Sequence, residues 1–125
     1  MSAPQIVTVR TVDHGLVDVP EPSWCSIAHR DDIHRADIHH QGTEHSASVD
    51  VPGLGRVSFL TAFLSQYPLA EHASRAVTVA VEIEGEHYDF DPAALGDLAA
   101  AITAHALYGL LPLKARLQSL EGEAS

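Results

Sequence analysis

Apolar and polar residues alternate weakly from Gln5 to Val12, with Val7 and Val9 on one face and Thr8 and Arg10 on the other, the period of a half-buried strand. Asp13-His14-Gly15 supplies turn chemistry and Leu16 to Val19 is short and branched, so residues 5–19 predict an N-terminal hairpin that Pro20 and Pro22 stop. From Trp24 to His45 no apolar period of 2 or 3.6 survives, and 22–45 reads as a long functional loop that something must pin. Alternation returns in Ala47, Val49 and Val51, and Pro52-Gly53-Leu54-Gly55 turns the chain. In Arg56 to Tyr67 the parity of Val57, Phe59, Phe63 and Tyr67 predicts a strand, although Leu60, Ala62 and Leu64 also suit a short helix. Val77, Val79, Val81 and Ile83 carry the cleanest period-2 signal, and Glu84-Gly85-Glu86 turns back into a partner strand, His87 to Phe90.

Asp91-Pro92 sets an N-cap acceptor before a proline at the first helical position, and Leu95, Leu98, Ile102 and Ala106 follow at helical spacing. Gly109 and Pro112 are expected to end or kink this helix, giving bounds of 91–111, and 121–125 reads as a frayed polar tail. The expected architecture is α+β: a mainly antiparallel β-sheet over 46–90 and the N-terminal hairpin, with one long C-terminal helix packed on it, in a single domain spanning 1–120.

A length of 125 residues excludes a TIM barrel and suffices for a core that needs neither disulfide nor metal to fold. With 46% hydrophobic and 19% charged residues the mixture is that of an ordinary globular protein. A formal charge of −10 repels phosphate backbones and anionic membrane surfaces, so neither nucleic acid nor membrane is an expected partner. The apolar run from Leu98 to Leu113 reads as too short to span a bilayer. One cysteine, Cys25, cannot form an internal disulfide, and no basic start precedes a long apolar stretch, so the expected location is cytoplasmic.

The compositional excess is nine histidines, crowded into the loop after Cys25. Cys25 and His29 stand four apart, and Asp37 and His40 three apart, so each pair can point two donors at one ion. Zinc accepts sulfur, nitrogen and oxygen donors without a geometric preference of its own, which makes Cys25, His29, Asp37 and His40 the expected tetrahedral set. His34, His39 and His45 are alternates that spacing cannot separate. Elsewhere, His87 and Asp89 share a strand face, Glu71, His72, Ser74 and Arg75 collect in one loop, and His105 sits beside the helical stripe. The first two read as solvated polar clusters, and His105 as a packed histidine at the edge of the core. No G-x-S-x-G elbow, phosphate-binding glycine loop or H-E-x-x-H motif is present.

The run Pro22-x-Trp24-Cys25-x-x-x-His29, continued by Asp37-Ile38-x-His40-x-Gly42, resembles a family of small domains of unknown function found in Streptomyces and related actinobacteria. The likeness extends through the strand Val77 to Ile83 and the helix start Phe90-Asp91-Pro92-Ala93. It implies a metal-type loop rather than an activity. Members resembling this chain carry a further cysteine just before the proline, where Glu21 stands here; either Glu21 supplies an oxygen ligand or the site is weakened or emptied.

The leading expectation is therefore a small cytoplasmic domain with a structural zinc in its loop, acting as a protein-interaction or regulatory module. A metal-dependent enzyme with an open Cys/His site, using Glu44 or Asp37 as base, is the alternative, and a metal-free histidine-rich binding protein is the third. Leu107, Leu110, Leu111 and Leu113 offer apolar surface that a protein partner or a second copy can cover, so a homodimer is among the expected assemblies.

Overall fold

The computed structural model describes residues 5–124, in two compact units that divide between Phe90 and Asp91. The first holds seven strands: β1 (Gln5–Thr11), β2 (Gly15–Glu21), β3 (His40–Gln41), β4 (His45–Val51), β5 (Gly55–Gln66), β6 (Thr78–Ile83) and β7 (Glu86–Phe90). The second is helical: α1 (Pro92–His105), a π-helical turn (Ala106–Leu110) and α2 (Leu111–Ala124). The class is α+β with antiparallel pairing throughout both sheets, as the alternation predicted.

β1 and β2 form a two-stranded hairpin in which Val7 faces Val19 and Val9 faces Val17. The turn is held by the Thr11 hydroxyl, which donates to the Gly15 carbonyl at 2.8 Å and accepts from the His14 amide at 2.9 Å. Val9, Val19 and Ile38 form the buried cluster, with Val7, Val17, Ile33 and Leu69 packed against it. A two-stranded ribbon is marginal alone. Here the loop after it supplies the missing apolar layer, because Asp32 donates its amide to the Arg10 carbonyl and Val12 donates to Ile33, drawing 31–33 along β1.

The second sheet runs β3-β5-β6-β7, with β4 paired to the other part of the same long β5. Phe63, Ser65, Ala80 and Val81 are its buried centre. β5 is a strand over its predicted length as far as Gln66, leaving Tyr67 outside, but its parity breaks. Pairing moves from Ala47 opposite Phe59 to His45 opposite Ala62, so β5 accommodates one extra residue in a bulge. Leu60 occupies the left-handed region there, with φ of +54°. Val57 and Phe59 consequently share a face with Ala62 and Leu64, while Phe63 and Ser65 point to the other side. The strand expected to present Val57, Phe59, Phe63 and Tyr67 together divides them because a bulge resets the two-residue period.

The helix begins as predicted: the Asp91 carboxylate accepts from the Ala94 amide at 2.8 Å, with Pro92 in the first turn. It does not stop near Gly109 and Pro112. Instead the backbone widens over Ala106–Leu110, where the Leu111 amide donates to the Ala106 carbonyl five residues back. A proline inside an α-helix lacks its own amide bond and crowds the preceding turn; the wide turn just before Pro112 relieves that crowding. Gly109 is needed for local space, since a Cβ there would lie 2.9 Å from Nδ1 of His105. His105 itself is exposed rather than packed. The polar end expected to fray is helical through Ala124, Ser125 lying outside the described residues. The continuous helix Pro92–Glu123 has 32 residues and is, by length and composition, long and apolar enough to cross a membrane, which replaces the shorter run on which the opposite expectation rested.

Candidate metal centre

Four donors meet where the hairpin, the loop and the second sheet converge. Glu21 is the last residue of β2, Cys25 and His29 follow it at intervals of four, and His40 opens β3. Proline and tryptophan give this stretch its bend: the Cys25 amide donates to the Pro22 carbonyl at 3.0 Å, a tight turn directly after β2. Ser26 then donates its amide to the Gln41 carbonyl at 2.9 Å, laying the Cys25 segment against β3. Gly42 lets the layers close, because a Cβ on it would sit 3.2 Å from Cβ of Leu64 and 3.3 Å from the Trp24 carbonyl.

The ligand atoms of Glu21, Cys25, His29 and His40 all lie within 4.8 Å of one another. His29 Nε2 is 2.8 and 3.1 Å from the two Glu21 oxygens and 3.8 Å from Cys25 Sγ. His40 Nδ1 is 2.9 Å from Glu21 Oε1. Donors on a tetrahedral zinc, bonded at about 2.0–2.3 Å, are separated by about 3.3–3.5 Å, so small side-chain adjustments bring all four to one ion. The rings of His29 and His40 stand edge to face with centroids 5.2 Å apart, and Trp24 closes over His40 in the same manner at 6.2 Å.

His40 is the telling residue. It is 1% exposed, and although its Nδ1 lies close to the Glu21 carboxylate, the approach lacks hydrogen-bond geometry and leaves a buried nitrogen without a partner. Such an atom costs about 1–3 kcal/mol when nothing satisfies it, and a cation among the four donors would satisfy it. Burial depresses the pKa of His40 against the opposing pull of Glu21, so its imidazole is neutral and offers a lone pair. Burial also works to raise the Glu21 carboxyl, but hydrogen bonds with Cys25 and His29 outweigh it and hold that carboxyl low. Burial, then the neighbouring carboxylate of Glu21, push the Cys25 thiol up. Cys25 is therefore held as a thiol by its protein surroundings, and binding an ion would displace its proton.

Of the residues singled out by spacing, the fold brings together Cys25, His29 and His40 and leaves Asp37 apart. Asp37 ends a 3-10 turn (Arg35–Asp37), its side chain 71% exposed and 4.0 Å from His34 Nδ1. Ile38, fully buried beneath the hairpin, separates that turn from His40 and faces it away from the other donors. Glu21 takes the fourth place instead. Its signal in the sequence is the four-residue rhythm Glu21, Cys25, His29. His39 points to the opposite side of β3 from His40, where its Nε2 is 2.7 Å from Ser65 Oγ and its ring stacks on Tyr67 at 4.3 Å. His45, on exposed β4, and Glu44 lie outside the four-donor group.

A cavity of about 420 Å³ opens beside Cys25, lined by Trp24, Thr43, His45, Leu64 and Val79 among others, and a second of about 380 Å³ opens beside His29. Neither is lined by Glu21 or His40. A molecule in either one thus meets a single edge of the centre rather than its middle.

Comparison with known proteins places the chain in a family: the model of a domain of unknown function (DUF6907) matches residues 6–117, nearly its whole length, and the chain belongs to that family. No curated protein and no solved structure matches it.

Proposed function

We propose that this member of the DUF6907 family binds one zinc ion through Glu21, Cys25, His29 and His40, that the ion is structural, and that the pinned loop serves a protein-interaction or regulatory module. The observation carrying the reading is the convergence of four ligand atoms within 4.8 Å of one another, one of them the buried Nδ1 of His40. One thiolate, two imidazoles and one carboxylate suit zinc, whose tetrahedral demand they fill from the protein alone. A full set of four leaves no position for substrate or water, which favours a structural ion over an open catalytic one. Bound there, zinc would tie the end of β2, the loop and β3 together, three segments otherwise joined mainly by short backbone contacts. A thiolate ligand with no second cysteine nearby suits a reducing compartment such as the cytoplasm.

Metal content per chain on untagged protein tests the proposal. One zinc per chain is expected in the wild type and in Asp37→Ala, and almost none in Cys25→Ser, His40→Ala or Glu21→Ala. Metal-free wild type after purification without chelators, or zinc retained by the Glu21 and His40 variants, would overturn it. A zinc-loaded protein that also takes up small anions or hydroxamates at the ion would favour the open, catalytic arrangement.

A further inference from the structure

The helical unit carries a surface that the metal centre does not use. In α1, Leu95, Leu98 and Ile102 recur at intervals of three and four, and from Leu110 onward Leu113, Leu117 and Leu120 do the same. Ile102 and Leu110 are eight residues apart, which in an unbroken α-helix would swing the second stripe about 80° around the axis from the first. The π-helical turn between them takes up about one extra residue and returns the two stripes to within about 20° of each other. The result is one leucine-rich line along a helix of 32 residues, about 48 Å at 1.5 Å per residue. No residue of this helix from Pro92 to Glu123 is buried, and Leu110, Leu113, Leu117 and Leu120 are between 43% and 66% exposed.

The placement of charge says what fits the line. In α2, Lys114 and Glu121 border it on one side and Arg116 and Glu123 on the other, while Leu111, Ala115, Gln118 and Ser119 occupy the back. Flanking charges beside a leucine seam are the arrangement of a coiled coil, in which they meet the flanks of a second helix. A helix lying on a membrane places its charges opposite the apolar face, and a spanning helix, whose length and overall hydropathy this one matches, wants about 20 predominantly apolar residues in a row. Only 16 residues separate Asp97 from Lys114. In a parallel, in-register pair, Arg116 of each copy faces Glu121 of the other, five residues on, giving two opposite-charge contacts along a line that is covered from Leu95 to Leu120; an antiparallel pair matching Lys114 to Glu121 and Arg116 to Glu123 overlaps α2 alone and leaves Leu95, Leu98 and Ile102 uncovered. The helix also escapes the repulsion between acidic chains: Asp97, Glu121 and Glu123 against Lys114 and Arg116 give it −1 of the total −10.

We infer that the C-terminal helix pairs, parallel and in register, with the same helix of a second copy of this chain along Leu95, Leu98, Ile102, Leu110, Leu113, Leu117 and Leu120. Sedimentation equilibrium of the zinc-supplemented full chain over a dilution series tests this. The wild type should be dimeric at the upper end. Arg116→Glu, an exposed change that leaves the fold intact, should weaken the dimer about tenfold by setting two like charges against each other. Adding Glu121→Arg should restore it, and Leu117→Asp should give a monomer of unchanged zinc content. A chain monomeric at every concentration overturns the inference. So does failure of the double charge exchange to rescue, because an antiparallel pair would set the new arginine against Lys114. Binding of a monomeric wild type to phosphatidylcholine vesicles, abolished by Leu117→Asp, would give the line to a lipid surface instead.

Discussion

Two imidazoles, a thiol and a carboxylate bring four ligand atoms within 4.8 Å of one another, and substitutions at His40 and Glu21 test in different ways what those atoms hold. Replacing His40 by leucine removes a nitrogen that is orphaned without metal yet bonded with it. His40→Leu should therefore lower stability in zinc and leave it unchanged or raised in chelator, as read from urea midpoints in the two buffers. Equal losses in both would mean that His40 is held by packing alone. Glu21→Cys supplies a softer donor in the same place. It should bind zinc more tightly than wild type in competition with a chromogenic chelator, whereas Glu21→Gln should bind less tightly. Spacing alone made Cys25, His29 and His40 legible as donors. It had no means of choosing between His39 and His40, since that choice depends on which side of β3 faces the loop, and a one-residue shift reverses it.

The N-terminal hairpin and the loop behave as one element, because each supplies half of a small core. Ile38→Ala should cost about 2–5 kcal/mol, the range for emptying a buried aliphatic site, measured by urea denaturation with Trp24 fluorescence. A cost near zero would show that the loop is not docked under β1 and β2. Asp13 joins the same two segments by accepting the Arg35 amide at 2.9 Å, and that bond is the main cause holding its carboxyl below the usual range. A carboxyl depressed in the folded state contributes stability above its unfolded pKa and loses it as pH falls through the folded value. Acidification below the ordinary carboxylate range should thus free the 3-10 turn in wild type. Asp13→Asn should show that looser turn already at neutral pH, seen as faster exchange of the Arg35 amide. The strands other than β3, which lies inside the segment read as a loop, were legible from alternation, and the helix start from Asp91-Pro92. The bulge at Leu60 was not, since no residue type in that run marks a left-handed backbone.

Across the whole chain, an ion at the four donors would share the labour of stability with the sheets. The five-strand pairing of β3 to β7 carries a buried centre at Phe63, Ala80 and Val81, with His40 on its two-residue end strand β3. Removing zinc should accordingly speed hydrogen exchange in residues 22–41 while the amides of β5 and β6 remain protected. Loss of protection everywhere would make the ion part of the main core. The sequence alone determined the class of fold, the positions of the strands apart from β3, the helix start, and the loop in which metal chemistry would lie. Those features follow from local periods of two and 3.6 and from turn and cap residues that act on their immediate neighbours. Tertiary structure alone decided which donors meet: Glu21 enters because the end of β2 returns beside β3, and Asp37 is excluded because burial of Ile38 turns it to solvent. It also decided that the helix continues past Pro112, through a wide turn that aligns two leucine stripes. Such outcomes depend on how distant segments pack, and packing is a property of the assembled chain that no local pattern carries.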